Sequence, residues 1–207
     1  MSGGGHEAIL RRAPGGGEGA RASTAIGLEN EARIIAAADR NGVPVPRVLH
    51  VLTDADGLGD GFLMQRIHGE TLGRPILRDD KFSHARDVLA KQCGQALAAI
   101  HSIPTDGIPE IPKSDGLDQI DHYDHVYRTA DAPHPIFELA MTWLRQNAPA
   151  PRPVVLVHGD FRLGNIMVDE SGLAAVLDWE LAHMGDPRED FAWMCVNSWR
   201  FGQSHNR

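Results

Sequence analysis

Residues 154–180 read VVLVHGDFRLGNIMVDESGLAAVLDWE. The first four form a continuous apolar run, the mark of a buried strand. Two further strands are predicted at 166–168 and 173–177, and Asp169-Glu170-Ser171-Gly172 between them suits a hairpin turn. Antiparallel strands joined in this way bring Asn165, just before the first, and Asp178, just after the second, to one open end. Asp160 lies on the loop that enters the hairpin. Two carboxylates and one amide oxygen therefore converge, a set that suits Mg²⁺ and not zinc. A carboxylate beside such a site, but not tied to it, accepts a proton from an alcohol. Together these groups are the equipment of phosphoryl transfer, where catalysis is mostly positioning and neutralisation of charge.

Moving outward, a helix is predicted over 26–40, stopped by Asn41-Gly42 and by Pro44 and Pro46. Glu29 and Arg33 fall on one side of it at ion-pair spacing, while Leu28, Ile34, Ile35 and Ala38 fall on the other. Glu31 shares the apolar side, where a carboxylate needs a partner; a residue snorkelling to the surface is the alternative. Ala8-Ile9-Leu10 is a short strand candidate. Two more lie at 47–52 and 61–66, joined by the turn-rich DADGLGDG. Leu89, Cys93, Ala96, Leu97 and Ile100 keep helical spacing within 82–101. A further helix over 135–147 places Ile136, Ala140, Trp143 and Leu144 on one face, and 148–153 (APAPRP) is a connector. Residues 102–133, rich in Pro, Asp and His, are expected to be irregular. The spacing of His122, His125 and His134 fits no helix-face ligand pair, so a solvated loop is favoured over a metal cluster.

The chain has 207 residues, 42% of them hydrophobic and 23% charged, which fits one domain or one domain with a small lobe attached. Its formal charge of −8 argues against an extended basic footprint for nucleic acid. Cys93 and Cys195 stand far apart in no motif and are expected to be buried thiols in a reducing compartment. No apolar run reaches the length of a membrane span and MSGGGHEA is no signal peptide, so a cytoplasmic protein without membrane or nucleic-acid partners is expected. Nothing in the sequence fixes the oligomeric state.

HGDFRLGN matches the pattern H-G-D-x-x-x-x-N, and LDWE follows it across the hairpin. The chain here resembles the aminoglycoside phosphotransferase and choline kinase family, which has a protein-kinase-like fold. In texture (LRR, GVPVPRVL, HGDFRLGN, DWELA) it is most similar to the phosphotransferase domains related to those fused with acyl-CoA dehydrogenases. The resemblance covers most of residues 3–200. It implies an α+β, two-lobe fold: a reduced N-terminal β-lobe over 1–67 and a mainly helical C-terminal lobe over 68–207 that carries the catalytic β-hairpin. Both ends are expected to be truncated relative to the family.

The same resemblance implies the site. Asp160 would be the catalytic base, Asn165 and Asp178 the Mg²⁺ ligands, and Arg162 a neutralising cation at the transferring phosphate. His158 would buttress the loop, with Asp186 or Asp190 as its anchor. Arg11 stands where the family carries its nucleotide-phosphate lysine, with Glu31 as its helix partner, and the backbone of Gln65 to Ile67 would meet the adenine of ATP. SGGG at 2–5 is either a remnant of the glycine-rich phosphate loop or a flexible terminus. The activity implied is an ATP- and Mg²⁺-dependent kinase of a small-molecule hydroxyl; the alternative is a non-catalytic, nucleotide-binding relic. A kinase acting on polypeptide is opposed, because no A-P-E-like segment follows Asp178. Aminoglycosides, hydroxyacyl-CoA thioesters, choline-like alcohols and sugars all stand open as acceptors.

Overall fold

The computed structural model describes residues 7–13, 26–130 and 133–200; the SGGG stretch lies outside the described residues. Strand β1 (Ala8–Arg12) is followed by helix α1 (Leu28–Arg40), then β2 (Val48–Val51) and β3 (Gly61–Gln65). The strands form one antiparallel sheet in the order β1-β3-β2. Helix α1 stops at Asn41, whose N–H donates to Ala37 O and Ala38 O. It packs Ile34, Ile35 and Ala38 into the core together with Phe62 of β3. Its outer face carries Glu29 and Arg33, 3.9 Å apart.

Helices α2 (Gly73–Arg78), α3 (Ser83–His101), α4 (Gly116–Thr129) and α5 (Pro135–Gln146) come next. Helix α3 buries Cys93, Ala96, Leu97 and Ile100, as their spacing requires. Helix α4 corrects the expectation of an irregular 102–133. Asp115 caps it, accepting from the N–H groups of Leu117 and Asp118, while the Asp118 carboxylate accepts from the Asp115 N–H. This reciprocal box starts the helix without an apolar stripe: none of its residues is fully buried, which is why periodicity missed it. His122 and His125 accordingly sit on a helix and not in a loop, while His134 caps α5.

Strands β4 (Val155–Val157), β5 (Ile166–Asp169), β6 (Gly172–Val176) and β7 (His183–Gly185) precede α6 (Arg188–Met194). β5 and β6 form the expected hairpin, and β7 pairs antiparallel with β4. At the hairpin tip Asp169 Oδ1 accepts from the N–H groups of Ser171 and Gly172. Gly172 has φ 126° and lies against Gln92 of α3, in the space that a Cβ would need. Gln92 in turn accepts from Leu173 N–H and donates to Ser171 O, clipping the hairpin to α3. The core is continuous from α1 through α3 to Leu156, Phe161, Val168 and Trp179. Backbone bonds run across it: Val176 N–H donates to Pro44 O at 2.7 Å, and Glu70 and Val168 exchange a pair. Cys93 is buried, but Cys195 is exposed, contrary to expectation: it follows the last turn of α6, beyond the core. Among the described residues no helix is long and apolar enough to cross a membrane.

Candidate active site

The loop after β4 is held by buried polar groups. Asp190 of α6 accepts from His158 N–H and Gly159 N–H, each at 3.0 Å, and lies 2.9 Å from His101 Nε2. Burial alone would raise its pKa; the hydrogen bonds from His101, His158 and Gly159 outweigh that and hold it below the usual carboxylate range. Of the two anchor candidates Asp190 therefore holds the loop, while Asp186 pairs with Arg188, two residues along. His158 is fully buried. Its Nε2 meets Leu177 O, an acceptor, and its Nδ1 receives the Asp160 N–H, so the ring is the neutral tautomer with its proton on Nε2. Burial pulls its pKa down. Gly159 turns at φ 78°, with the Leu181 carbonyl where a Cβ would stand.

The loop presents Asp160. Its Oδ1 accepts from Arg162 Nε at 2.9 Å and Trp193 Nε1 at 2.5 Å, and its Oδ2 accepts from Asn165 Nδ2 at 2.5 Å. Arg162 also lies over the Trp199 ring, 4.2 Å from its centroid.

Asn165 and Asp178 do meet at the open end of the hairpin, where Leu177 N–H donates to Asn165 O at 2.7 Å. Among the described residues Asp178 is the one non-glycine with positive φ, at 63°. Both line a cavity of about 300 Å³ beneath the sheet, together with Arg11, Glu31, Met64 and Thr71. Glu31 is buried, which removes the snorkelling alternative: Arg11 Nε lies 2.9 Å from its Oε1, and Arg11 Nη2 reaches Asp178 Oδ1 at 2.8 Å and Glu180 Oε2 at 3.2 Å. Burial pushes the Glu31 carboxyl up to about 7, against the pull of Arg11. The donor set fits Mg²⁺: the Asn165 amide nitrogen is turned to Asp160, leaving its oxygen, and Asp178 keeps Oδ2. One carboxylate and one amide oxygen leave room for water and phosphate. Gln65 ends β3 and Ile67 follows it in the loop; neither lines this cavity, whereas Met64, one residue before Gln65, does.

Sequence reasoning missed three partners. Trp193 and Trp199 carry no motif of their own, although Trp193 stands three residues after Asp190, one helical turn away. His183 places Nδ1 on Leu181 O and Nε2 on Glu189, so both nitrogens face acceptors. Burial, which would lower its pKa, is outweighed by the Glu189 carboxylate, and the pKa is raised.

Residues 2–206 match the model of the phosphotransferase enzyme family. The chain is 32% identical over 201 residues to acyl-CoA dehydrogenase family member 10 of Mus musculus, covering 91% of this chain and 18% of that protein. It also resembles a solved protein of Ralstonia eutropha assigned as an aminoglycoside phosphotransferase, with a TM-score of 0.69 and 27% identity over 84% of this chain and 55% of that one. An aminoglycoside phosphotransferase of Streptomyces rimosus, solved with ADP and streptomycin, shares the fold alone (TM-score 0.55, 19% identity, 90% of this chain and 73% of that one). The chain thus spans about a fifth of the mouse relative and little more than half of the first solved protein. With Asn165, Asp178 at the hairpin end and the Arg11–Glu31 pair lining one cavity, and with the family match over nearly its whole length, the chain belongs to the phosphotransferase enzyme family and has its protein-kinase-like fold.

Proposed function

We propose that this chain is an ATP- and Mg²⁺-dependent phosphotransferase acting on a hydroxyl of a small molecule. One observation carries the reading: Asn165 touches the Asp160 carboxylate and also lines the cavity that holds Asp178 and the Arg11–Glu31 pair. Base, metal donors and phosphate-binding cation are thereby contiguous. In this reading the lobes divide between Ile67 and His68, and the backbone from Gln65 to Ile67 borders the adenine. The solved relative carrying ADP supports nucleotide use, and two cysteines without a disulfide suit a cytoplasmic location.

Asp160 accepts the acceptor's hydroxyl proton as the alcohol oxygen bonds to the γ-phosphorus and the bond to the ADP oxygen breaks. Asn165 and Asp178 would hold Mg²⁺, which when bound supplies neutralising charge to the phosphate oxygens. Arg11, kept in place by Glu31, meets the nucleotide phosphates, and Arg162 faces the group in transfer.

Calorimetric titration with ATP, with and without Mg²⁺, tests the site, and phosphate transfer to a panel of small alcohols tests the reaction. The expected result is Mg²⁺-dependent binding that Asp178→Asn abolishes, and turnover that Asp160→Ala removes while sparing binding. Retained turnover in Asp160→Ala would sink the assignment. A second reading, nucleotide binding without transfer, is favoured by the ion pair that already ties Arg11 to Asp178; Mg²⁺-dependent binding with no transfer to any acceptor or to water would establish it.

A further inference from the structure

We propose that Trp193 is a positioning residue for the Asp160 carboxylate, fixing Oδ1 so that Oδ2 takes the acceptor's proton. The proposal rests on the reading of Asp160 as the base. A carboxylate oxygen offers about two acceptor sites. Those of Oδ1 are filled by Arg162 Nε at 2.9 Å and Trp193 Nε1 at 2.5 Å. Among the described residues Oδ2 receives Asn165 Nδ2 alone, which leaves it one site. Because the carboxyl torsion is soft and two-fold, nothing intrinsic keeps one oxygen forward. Two donors on one oxygen do.

Arg162 cannot do this alone, because it sits on the same loop as Asp160 and moves with it. Trp193 comes from α6, and so does Asp190, which holds the loop backbone at His158 and Gly159. One turn of α6 therefore grips the loop twice, at its backbone and at its reactive side chain. The indole N–H donates and cannot accept, so it orients the base without competing for the proton. Trp199 braces both donors: its ring lies edge-on to Trp193 at 5.4 Å and beneath the Arg162 guanidinium at 4.2 Å. Trp193 remains 37% exposed, so its bond to Asp160 is no by-product of core packing.

The test replaces the Trp193 indole site-specifically by benzothiophene, which keeps the shape and removes the N–H, beside Trp193→Phe. Turnover is read with Mg²⁺-ATP and water as acceptor. Losing one hydrogen bond to a charged group predicts a fall in kcat of about 10- to 100-fold in both variants, with the KM for ATP unmoved. Independently of turnover, the ¹⁵N-indole resonance that Trp193→Phe deletes is expected to shift in Asp160→Asn. Wild-type kcat in the benzothiophene variant overturns the proposal alone, as does a resonance that Asp160→Asn leaves in place. A wild-type chain that binds nucleotide but never transfers phosphate overturns the phosphotransferase reading, and this proposal with it.

Discussion

The hairpin region and the α4–α5 pair are held by opposite means. Around the hairpin, Trp179, Phe161 and His158 are fully buried, and the polar groups among them are matched bond for bond. In the helix pair no residue is fully buried. Arg145 bridges Asp121 and Asp124, Tyr127 meets Phe137 edge-on at 5.5 Å, and Ile136, Leu139 and Trp143 of α5 point to solvent. The difference teaches that helical periodicity reports the element and leaves open what, if anything, the apolar face packs on. Buried polar groups are more demanding. Each needs its partner within hydrogen-bond reach, and so each fixes a neighbour.

The sharpest way to break this contrast is Asp190→Ala. It strands two buried N–H groups and His101, and should lower the unfolding free energy by about 4 kcal/mol in urea titrations. A loss under about 1 kcal/mol would place the loop's anchor elsewhere. Next comes Arg11→Met, which leaves Glu31 buried without its cation and should cost about 3 kcal/mol at pH 8. The sign with pH follows from the carboxyl raised to about 7 in the folded chain. Below about 7 the group is neutral in the folded wild type and in the folded variant alike, so the deficit is small; above 7 the wild-type carboxylate ionises against Arg11, which the variant cannot match, and the deficit grows with pH. Denaturant midpoints of both proteins at pH 5 and pH 8 would show a gap that widens with pH, and a constant gap would mean that Arg11 does not act through Glu31.

His158 makes the opposite-signed case. Its pKa is lowered by burial, so the stability it contributes is present above the unfolded value of 6.5 and is lost as pH falls below it. The advantage of wild type over His158→Gln should therefore shrink between pH 7 and pH 5. The smallest effect sharpens the comparison from the other side. Leu139→Ser and Trp143→Ser, on the outward face of α5, should each move stability by no more than about 0.5 kcal/mol. A larger loss in either would show that this face is packed in solution.

Much of this was legible in the residues. The hairpin, its turn at Asp169 and the convergence of Asn165 with Asp178 follow from strand alternation and turn chemistry, which act over a few residues. The partner that Glu31 needed was inferable because an uncompensated charge on an apolar face is costly. What escaped notice has one physical origin. Helix α4 begins at a capping box and not at an apolar stripe, so hydrophobic periodicity is blind to it. The exposure of Cys195, and the arrival of Trp193 at Asp160 across 33 positions of chain, are set by where α6 docks, which no local pattern records. At Gln65 to Ile67, where the resemblance implies backbone contacts to adenine, nothing in the residues told which neighbouring side chain walls the cavity; alternation along β3 turns Met64 inward and Gln65 out.

The backbone of Asp178, held at φ 63°, has an evolutionary consequence. Glycine enters that conformation freely and asparagine readily, whereas most side chains resist it. Single-base changes in an aspartate codon reach both. A lineage can thus exchange the carboxylate proposed above to hold Mg²⁺ for an amide or a hydrogen while the hairpin and its core persist. Under the proposed function, silencing the chemistry is a smaller genetic step than dismantling the fold, so descendants that keep the shape and recruit it for binding alone lie one substitution away.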